Sequence, residues 1–282
     1  MLKRIGDKMD LSNEAVIHVK KENIEYLQFR KLLEYENKVK HCFTLRPLDF
    51  GSNTTWNQNK EEYMKNYKII SKQIGIDKET IVRAYQTHTD NIKTIEDSKN
   101  KISIFEEEYK NVDGLLTNKK NVAISLVYAD CIPLYFYDTR NNVIGNVHSG
   151  WKGTLKQIGK KAVLKMIEKY ESNPKDILCF IGPSIGKCHF EVEEEVKEEF
   201  ERTFKYTGKI QEIIKDKGIK NGQHKYNIDT VLINRIMLEE VGLLKNNIIE
   251  SGICTVCNSN LLHSYRNMKE KAGRNTAIIS LQ

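Results

Sequence analysis

Apolar and polar positions alternate at the start of the chain. VIHVK (16–20) and IEYLQFRK (24–31) carry the period of two expected of half-buried strands. HCFTLRP (41–47) reads as a short strand entering a loop, and residues 1–40 as a whole predict short strands and charged turns. Over 58–75 the period lengthens: Tyr63, Tyr67, Ile70 and Ile74 share one face of a helix. TIVRAYQTH (80–88) predicts a strand ending on a histidine. VAISLVYA (122–129) and NVIGNVH (142–148) are apolar and β-branched on both faces, the pattern of core strands. Residues 154–170 predict an amphipathic helix with Leu155, Ile158, Ala162, Leu164, Met166 and Ile167 mainly on one side. DILCFIGP is a further short strand, EVEEEVKEEFERTF a charged helix and TVLINRIMLEEVGL another helix; IIESGICT and NTAIISL close the chain as strands.

Strands thus alternate with helices but also come in adjacent pairs. That mixture predicts an α+β architecture, mixed β-sheets flanked by helices, rather than a strict βαβ repeat. Four prolines and the lack of a Gly/Ser linker predict a single domain over 1–282.

Composition narrows the class. A hydrophobic fraction of 39% and a charged fraction of 29% are those of a globular chain. No apolar run approaches the roughly 18 residues of a membrane span, and the N-terminus lacks a signal-peptide core, so the expectation is a cytoplasmic protein with no membrane partner. The formal charge of +7 is spread through Lys/Glu-interleaved segments rather than gathered in an Arg-rich patch, which argues against a nucleic-acid partner. A modest positive field of this kind still favours a phosphate or phosphorylated ligand. The six cysteines, in that compartment, are expected as reduced thiols. Cys254 and Cys257 form a C-x-x-C pair, but no second pair at matching spacing accompanies it, so they read as structural thiols rather than zinc ligands.

Three predicted strand ends deliver metal-type donors: His88, Cys131 and His148. Imidazole and thiolate suit zinc, with copper also possible, and three protein ligands leave a fourth position for water or substrate. Their gaps of 43 and 17 residues match no short metal motif. The rival reading is a nucleophilic Cys131 with His148 or His88 as its base, a hydrolase or acyltransferase. Asp130 could orient a ligand histidine or act as general base. The turn SGWKGT (149–154), with Gly150 and Lys152, offers amides and a charge to an anion but lacks the spacing of a Walker loop. IGPSIGKCHF (181–190) is a second turn of this kind, and Arg46, Arg266 and Arg274 are candidate phosphate or substrate clamps.

Six blocks then occur in order: QTHTDNI (86–92), DGLLTN (113–118), ADCIPLYFYD (129–138), GNVHSGWKGT (145–154), IGPSIGKCHFEV (181–192) and SYRNMKEKAGRNTAIISL (264–281). Together they resemble the YfiH family, first described as laccase-like multicopper polyphenol oxidases and later as purine nucleoside phosphorylases with adenosine deaminase activity. The resemblance runs from about residue 41 to the C-terminus. It implies a metal, generally zinc, on His88, Cys131 and His148. It implies phosphorolysis of adenosine, inosine, guanosine and methylthioadenosine to base and sugar 1-phosphate, so purine nucleosides and phosphate are the expected partners. It implies deamination of adenosine as well, in which water acidified by the metal attacks C6 and an acid/base group, Asp130 as first candidate, moves protons. Arg46 is the first candidate for the phosphate and the SGWKGT turn the second.

The chain departs from the family pattern at His263, where an aromatic usually precedes Ser-Tyr-Arg, and at Lys152, where Arg is common; the latter keeps the charge but loses bidentate geometry. Laccase chemistry needs several copper centres with many histidine ligands. The chain has seven histidines (His18, His41, His88, His148, His189, His224 and His263), two of them at the ligand positions. The alternatives to the phosphorylase are therefore a Cys131/His hydrolase, a copper-dependent polyphenol oxidase, and a non-catalytic metal-binding module of the cell envelope or division machinery.

Overall fold

The strand Ala123–Tyr128 shows why the long apolar runs form a core. Ile124, Leu126 and Tyr128 face one way and Ala123 and Val127 the other, and both faces are covered. In the computed structural model, which describes residues 4–5, 8–96, 103–104 and 109–282, this strand is internal to a seven-stranded mixed sheet. It pairs antiparallel with Asn275–Leu281 and parallel with Ile81–Arg83. Beyond Asn275–Leu281 lie Val39–Thr44, Ile24–Phe29 and Val16–Lys21; Ser103–Ile104 forms the opposite edge. Residues 1–3 and 6–7, part of the segment expected to form short strands, lie outside the described residues.

A second sheet of six strands is ordered Ile248–Glu250, Ile177–Ile181, Ile132–Asp138, Val143–Ser149, Gly114–Thr117 and Ile92–Thr94. Its strand Ile132–Asp138 again splits its side chains. Tyr135 and Tyr137 pack on Ile124, Leu126 and Tyr128 of the first sheet, whereas Ile132, Leu134 and Phe136 face away. The outward face of the second sheet is covered by helices Ile158–Tyr170 and Thr230–Glu240, and that of the first by helix Lys60–Ile74 through Tyr63, Tyr67 and Ile70. The layers are helix, sheet, sheet, helix. Each aromatic or aliphatic side chain buried between them contributes about 1.5–3 kcal/mol.

Hydrogen bonds tie the two sheets as well. The Tyr135 hydroxyl donates to the Cys42 carbonyl at 2.7 Å. The Tyr128 hydroxyl donates to Asn146 Oδ1 at 2.8 Å, and Asn146 Nδ2 donates to the Ala277 carbonyl at 2.8 Å. Such bonds satisfy groups that would otherwise be costly in a dry interface.

The α+β expectation of mixed sheets flanked by helices matches this architecture, with local differences. The helix expected over 154–170 is two, Trp151–Leu155 and Ile158–Tyr170, because Gln157 adopts a left-handed conformation at φ 59°. Leu164, placed on the apolar side by its periodicity, is 49% exposed; Ala162, Val163 and Met166 fill the buried stripe instead. IPLYFYD forms a strand of its own between the two expected core strands. The hairpin Ile214–Lys220 and Gln223–Ile228 escapes the apolar pattern because most of its first strand is exposed and polar, although Asn221-Gly222, both at positive φ, is a strong two-residue hairpin signal.

The buried His41 gives the fold a measurable acid sensitivity. Its Nε2 accepts the Phe29 amide at 2.7 Å, and burial pushes its pKa down to about 3. The unfolded chain takes up this proton near the ordinary histidine value, the folded chain only near 3. Stability is therefore full above about pH 6.5 and falls below it by up to about 1.4 kcal/mol per pH unit. His18, also held down chiefly by burial, adds in the same direction. Urea unfolding of wild type and His41→Gln between pH 4 and 7 should show a shallower acid slope in the variant.

Candidate functional site

Strand register brings the three sequence-predicted donors together. Ile132–Asp138 and Val143–Ser149 are antiparallel neighbours with Ile132 opposite Ser149 and Pro133 opposite His148. Cys131, just before the first strand, is thereby set beside His148 and Gly150 at the end of the second. The loop after Ile81–Arg83 delivers His88. The ligand atoms of His88, Cys131 and His148 all lie within 4.8 Å of one another, with His88 Nε2 at 3.9 Å from Cys131 Sγ. The two imidazoles meet edge to face, centroids 5.0 Å apart.

Asp113, absent from the sequence-derived site, organises two of the three. It directly precedes Gly114, which pairs with Val147, so its side chain reaches His148. Asp113 Oδ1 lies 2.8 Å from His148 Nδ1, which, as the donor, leaves Nε2 facing the other donors. The same carboxylate accepts the amides of Thr87, His88 and Thr89 and the Thr89 hydroxyl, at 2.7–3.2 Å. These bonds hold His88 in the left-handed region at φ 61°, where a non-glycine residue is rarely found.

Charge follows geometry. Burial raises the Asp113 carboxyl, but the His148 and Thr89 hydrogen bonds outweigh it and keep the group below its usual range. Burial opposes a charge on His148 too, yet Cys131 and Asp113 bring it up to about 10. Burial would raise the Cys131 thiol, but His148 and then His88 pull it down to about 6. Gly150 completes the cradle: a Cβ there would lie 2.9 Å from His88 Cδ2 and 3.3 Å from Cys131 Sγ.

The donors open on a cavity of about 480 Å³, also lined by Asp130, Trp151, Phe190, Tyr265, Arg266 and Arg274. The remaining sequence candidates separate here. Asp130, at φ 88°, is bonded to neither histidine. Its Oδ1 accepts the Thr255 hydroxyl at 2.5 Å and its Oδ2 the Arg266 amide at 2.6 Å, so the histidine-orienting role considered for it is met by Asp113. Arg46 is not among the lining residues; its guanidinium donates to the Ser259 carbonyl at 2.9 Å. Lys152 is exposed, stacks over Trp151 at 5.4 Å and does not line the cavity either. The helix behind the SGWKGT turn has only five residues. Arg266 and Arg274 do reach the cavity. Arg266 Nη1 is anchored on the His189 and Glu191 carbonyls, and Arg274 Nη1 on those of Ala272 and Gly273. The aromatic lining of Trp151, Phe190 and Tyr265 had no periodic signature that could have singled it out.

Among the described residues, Cys188, His189, Cys254 and Cys257 form a second group of potential ligands. The sequence pairing rule set the C-x-x-C aside, since its companions are a Cys-His dipeptide rather than another C-x-x-C.

Comparison with known proteins places these features in context. A family model described as multi-copper polyphenol oxidoreductase laccase matches residues 45–282. The purine nucleoside phosphorylase YlmD of Bacillus subtilis is 33% identical over 223 residues, 78% of each chain. A purine nucleoside phosphorylase of Clostridium acetobutylicum is 33% identical over 228 residues, covering 80% of this chain and 84% of that one. The crystal structure of the hypothetical protein YfiH of Bacillus licheniformis superposes with a TM-score of 0.80 at 26% identity, covering 94% of this chain and 99% of that one. No helix among the described residues is long and apolar enough to cross a membrane.

Asp113→Asn tests the organising carboxylate. An amide NH₂ would replace one acceptor among converging donors, which should lower stability by about 2–4 kcal/mol in urea unfolding. A change below about 0.5 kcal/mol, the scale of an ordinary surface substitution, would contradict the arrangement.

Proposed function

The chain belongs to the multi-copper polyphenol oxidoreductase laccase family, and from that premise we propose that it is a cytoplasmic, zinc-dependent purine nucleoside phosphorylase with adenosine deaminase activity. The observation that carries this reading is the cavity itself, lined by a Cys/His₂ donor set, two anchored arginines and three aromatic rings. The names of the curated relatives, purine nucleoside phosphorylases, support the phosphorolysis part of this reading. The histidine inventory weighs against a laccase reaction. His41 accepts a backbone amide, His18 sits between Asp10 and Glu25, His224 pairs with Asp216 and His263 meets the Leu48 carbonyl. Phosphorolysis and deamination change no oxidation state, so a redox-inert ion serves them; copper would also accept this donor set.

His88, Cys131 and His148 would hold the zinc. The donor types, their mutual approach and the space left by Gly150 all fit such an ion. When bound, zinc supplies Lewis acidity and brings the pKa of a water towards neutral. Trp151, Phe190 and Tyr265 would take the faces of a purine. Arg266 and Arg274, each fixed through one nitrogen, would orient phosphate for attack on the anomeric carbon, as the C–N bond breaks and its electron pair passes to the base. These two replace Arg46 as phosphate candidates because they face the cavity. Asp130 keeps free lone pairs on both oxygens and would relay the proton to or from the base.

A second reading has support of its own. A Cys131 thiol near 6 beside a His148 near 10 forms a thiolate–imidazolium pair, the state of a nucleophilic cysteine.

One product assay separates the readings. The protein is incubated with adenosine, with and without phosphate, before and after chelation, and products are resolved by chromatography. Adenine and ribose 1-phosphate only with phosphate, and inosine in either case, both lost on chelation, are expected. Turnover that survives chelation but not thiol alkylation would favour nucleophilic Cys131. No product under any condition would overturn both enzyme readings. Cys131→Ala and His148→Ala should each lose the metal of this donor set, one equivalent, together with activity. Asp130→Asn should keep the metal while kcat falls by about 10²–10⁴.

A further inference from the structure

Two loops that are far apart in sequence run side by side next to the cavity. The Ser184 amide donates to the Ile253 carbonyl at 3.2 Å, and the Thr255 amide to the Ser184 carbonyl at 2.9 Å. This zipper sets the turn carrying Cys188 and His189 against the C-x-x-C turn of Cys254 and Cys257. We propose that these four side chains form a second, structural zinc site of Cys₃His type that pins the cavity wall.

The four ligand atoms lie within 4.8 Å of one another, and their separations approach those of a tetrahedral ligand shell. A zinc ion with ordinary Zn–S and Zn–N lengths sets its ligand atoms about 3.5–3.8 Å apart. Cys188 Sγ and Cys257 Sγ are 3.8 Å apart. His189 Nδ1 lies 3.2 Å from Cys188 Sγ, 3.6 Å from Cys254 Sγ and 3.5 Å from Cys257 Sγ. Four donors convergent on one point leave no open position, which marks a structural rather than a catalytic site. Cys254 Sγ accepts the Gly186 amide at 3.3 Å, and the Val256 and Cys257 amides are also directed at it, as suits a thiolate held at a turn. Gly186 belongs to the cradle: a Cβ there would lie 3.3 Å from Cys188 Sγ and 3.4 Å from Cys254 Cβ. Cys188 and Cys257 are exposed, so an ion can enter from solvent.

The shell is wired to the cavity at three points. The Thr255 hydroxyl, between the two C-x-x-C cysteines, holds Asp130 Oδ1. The His189 carbonyl anchors Arg266 Nη1. The Ile185 amide donates to the Asp130 carbonyl at 2.8 Å. The ion would therefore fix the Asp130 and Arg266 side of the cavity without touching a substrate.

The test uses the intact chain with the first donor set disabled, so that it stands apart from the phosphorylase reading. Cys131→Ala should bind one equivalent of zinc by elemental analysis. After exchange with cobalt it should give the intense d–d and thiolate charge-transfer absorption of tetrahedral sulfur-ligated Co(II). The double variant Cys131→Ala/Cys257→Ser, altered at an exposed position, should lose both signals. Chelation should lower the melting temperature of Cys131→Ala by several degrees and leave that of the double variant unmoved. Zinc-free Cys131→Ala, a cobalt spectrum without thiolate bands, or a Cys188–Cys257 disulfide in place of bound zinc under reducing purification would each overturn the proposal.

Discussion

The Asp113 carboxylate is the contact on which the candidate centre depends. It gathers three consecutive loop amides, a hydroxyl and the His148 ring. A buried negative charge is costly unless it is so surrounded, and the surrounding donors are the groups that must be placed. The same bonds that solvate Asp113 therefore force His88 into a left-handed backbone and aim the His148 ring. On the opposite side, Asp130 is held at positive φ by Thr255, Ile185 and Arg266. Cys131 sits between two residues, Asp130 and Ile132, that are fixed by quite different forces, one by polar bonds and the other by the apolar packing of a strand.

That packing is what makes the site rigid. Each of the two sheets is covered on both faces, so their central strands have no freedom to slip. A one-residue slip would exchange Tyr135 and Tyr137 for Leu134 and Phe136 and break the Tyr135 bond to Cys42 and the Tyr128–Asn146–Ala277 chain. Register then carries chemistry: the pairing of Ile132 with Ser149 is the reason Cys131 meets His148. Gly150 follows from the same geometry, since the backbone passes so close to both donors that no Cβ fits.

The cavity wall is organised differently, by loops rather than by sheet. Phe190 comes from a loop and Tyr265 and Arg266 from the short helix Tyr265–Met268; Arg266 is anchored on the His189 and Glu191 carbonyls, and the 184–190 and 253–258 loops are zipped together beside them. These loops are joined by hydrogen bonds between segments distant in sequence, and the proposed four-ligand ion would add a cross-link between them. Sheet and wall together give one cavity lined by the donors and by the arginines Arg266 and Arg274.

How much of this was legible differs residue by residue. The sheets were readable in VAISLVYA, NVIGNVH and NTAIISL because burial on two faces leaves a composition signal, and the helix of residues 58–75 because burial on one face leaves a period. His88, Cys131 and His148 stood out as chemically unusual residues at the ends of such runs. Asp113 did not, because an acid before a glycine looks like any turn until the strand pairing puts it beside His148. Arg46 and Lys152 looked as suitable for an anion as Arg266 and Arg274, since sequence reports charge and not direction. The Cys188–His189 pair could not be joined to Cys254 and Cys257 by spacing rules, because their proximity is created by a loop-to-loop contact some 65 residues long in sequence. Local pattern therefore determined which segments are strands and helices and which residue types could do chemistry. Tertiary structure alone decided which of them meet, because strand register and loop packing, not neighbourhood along the chain, set the distances between side chains.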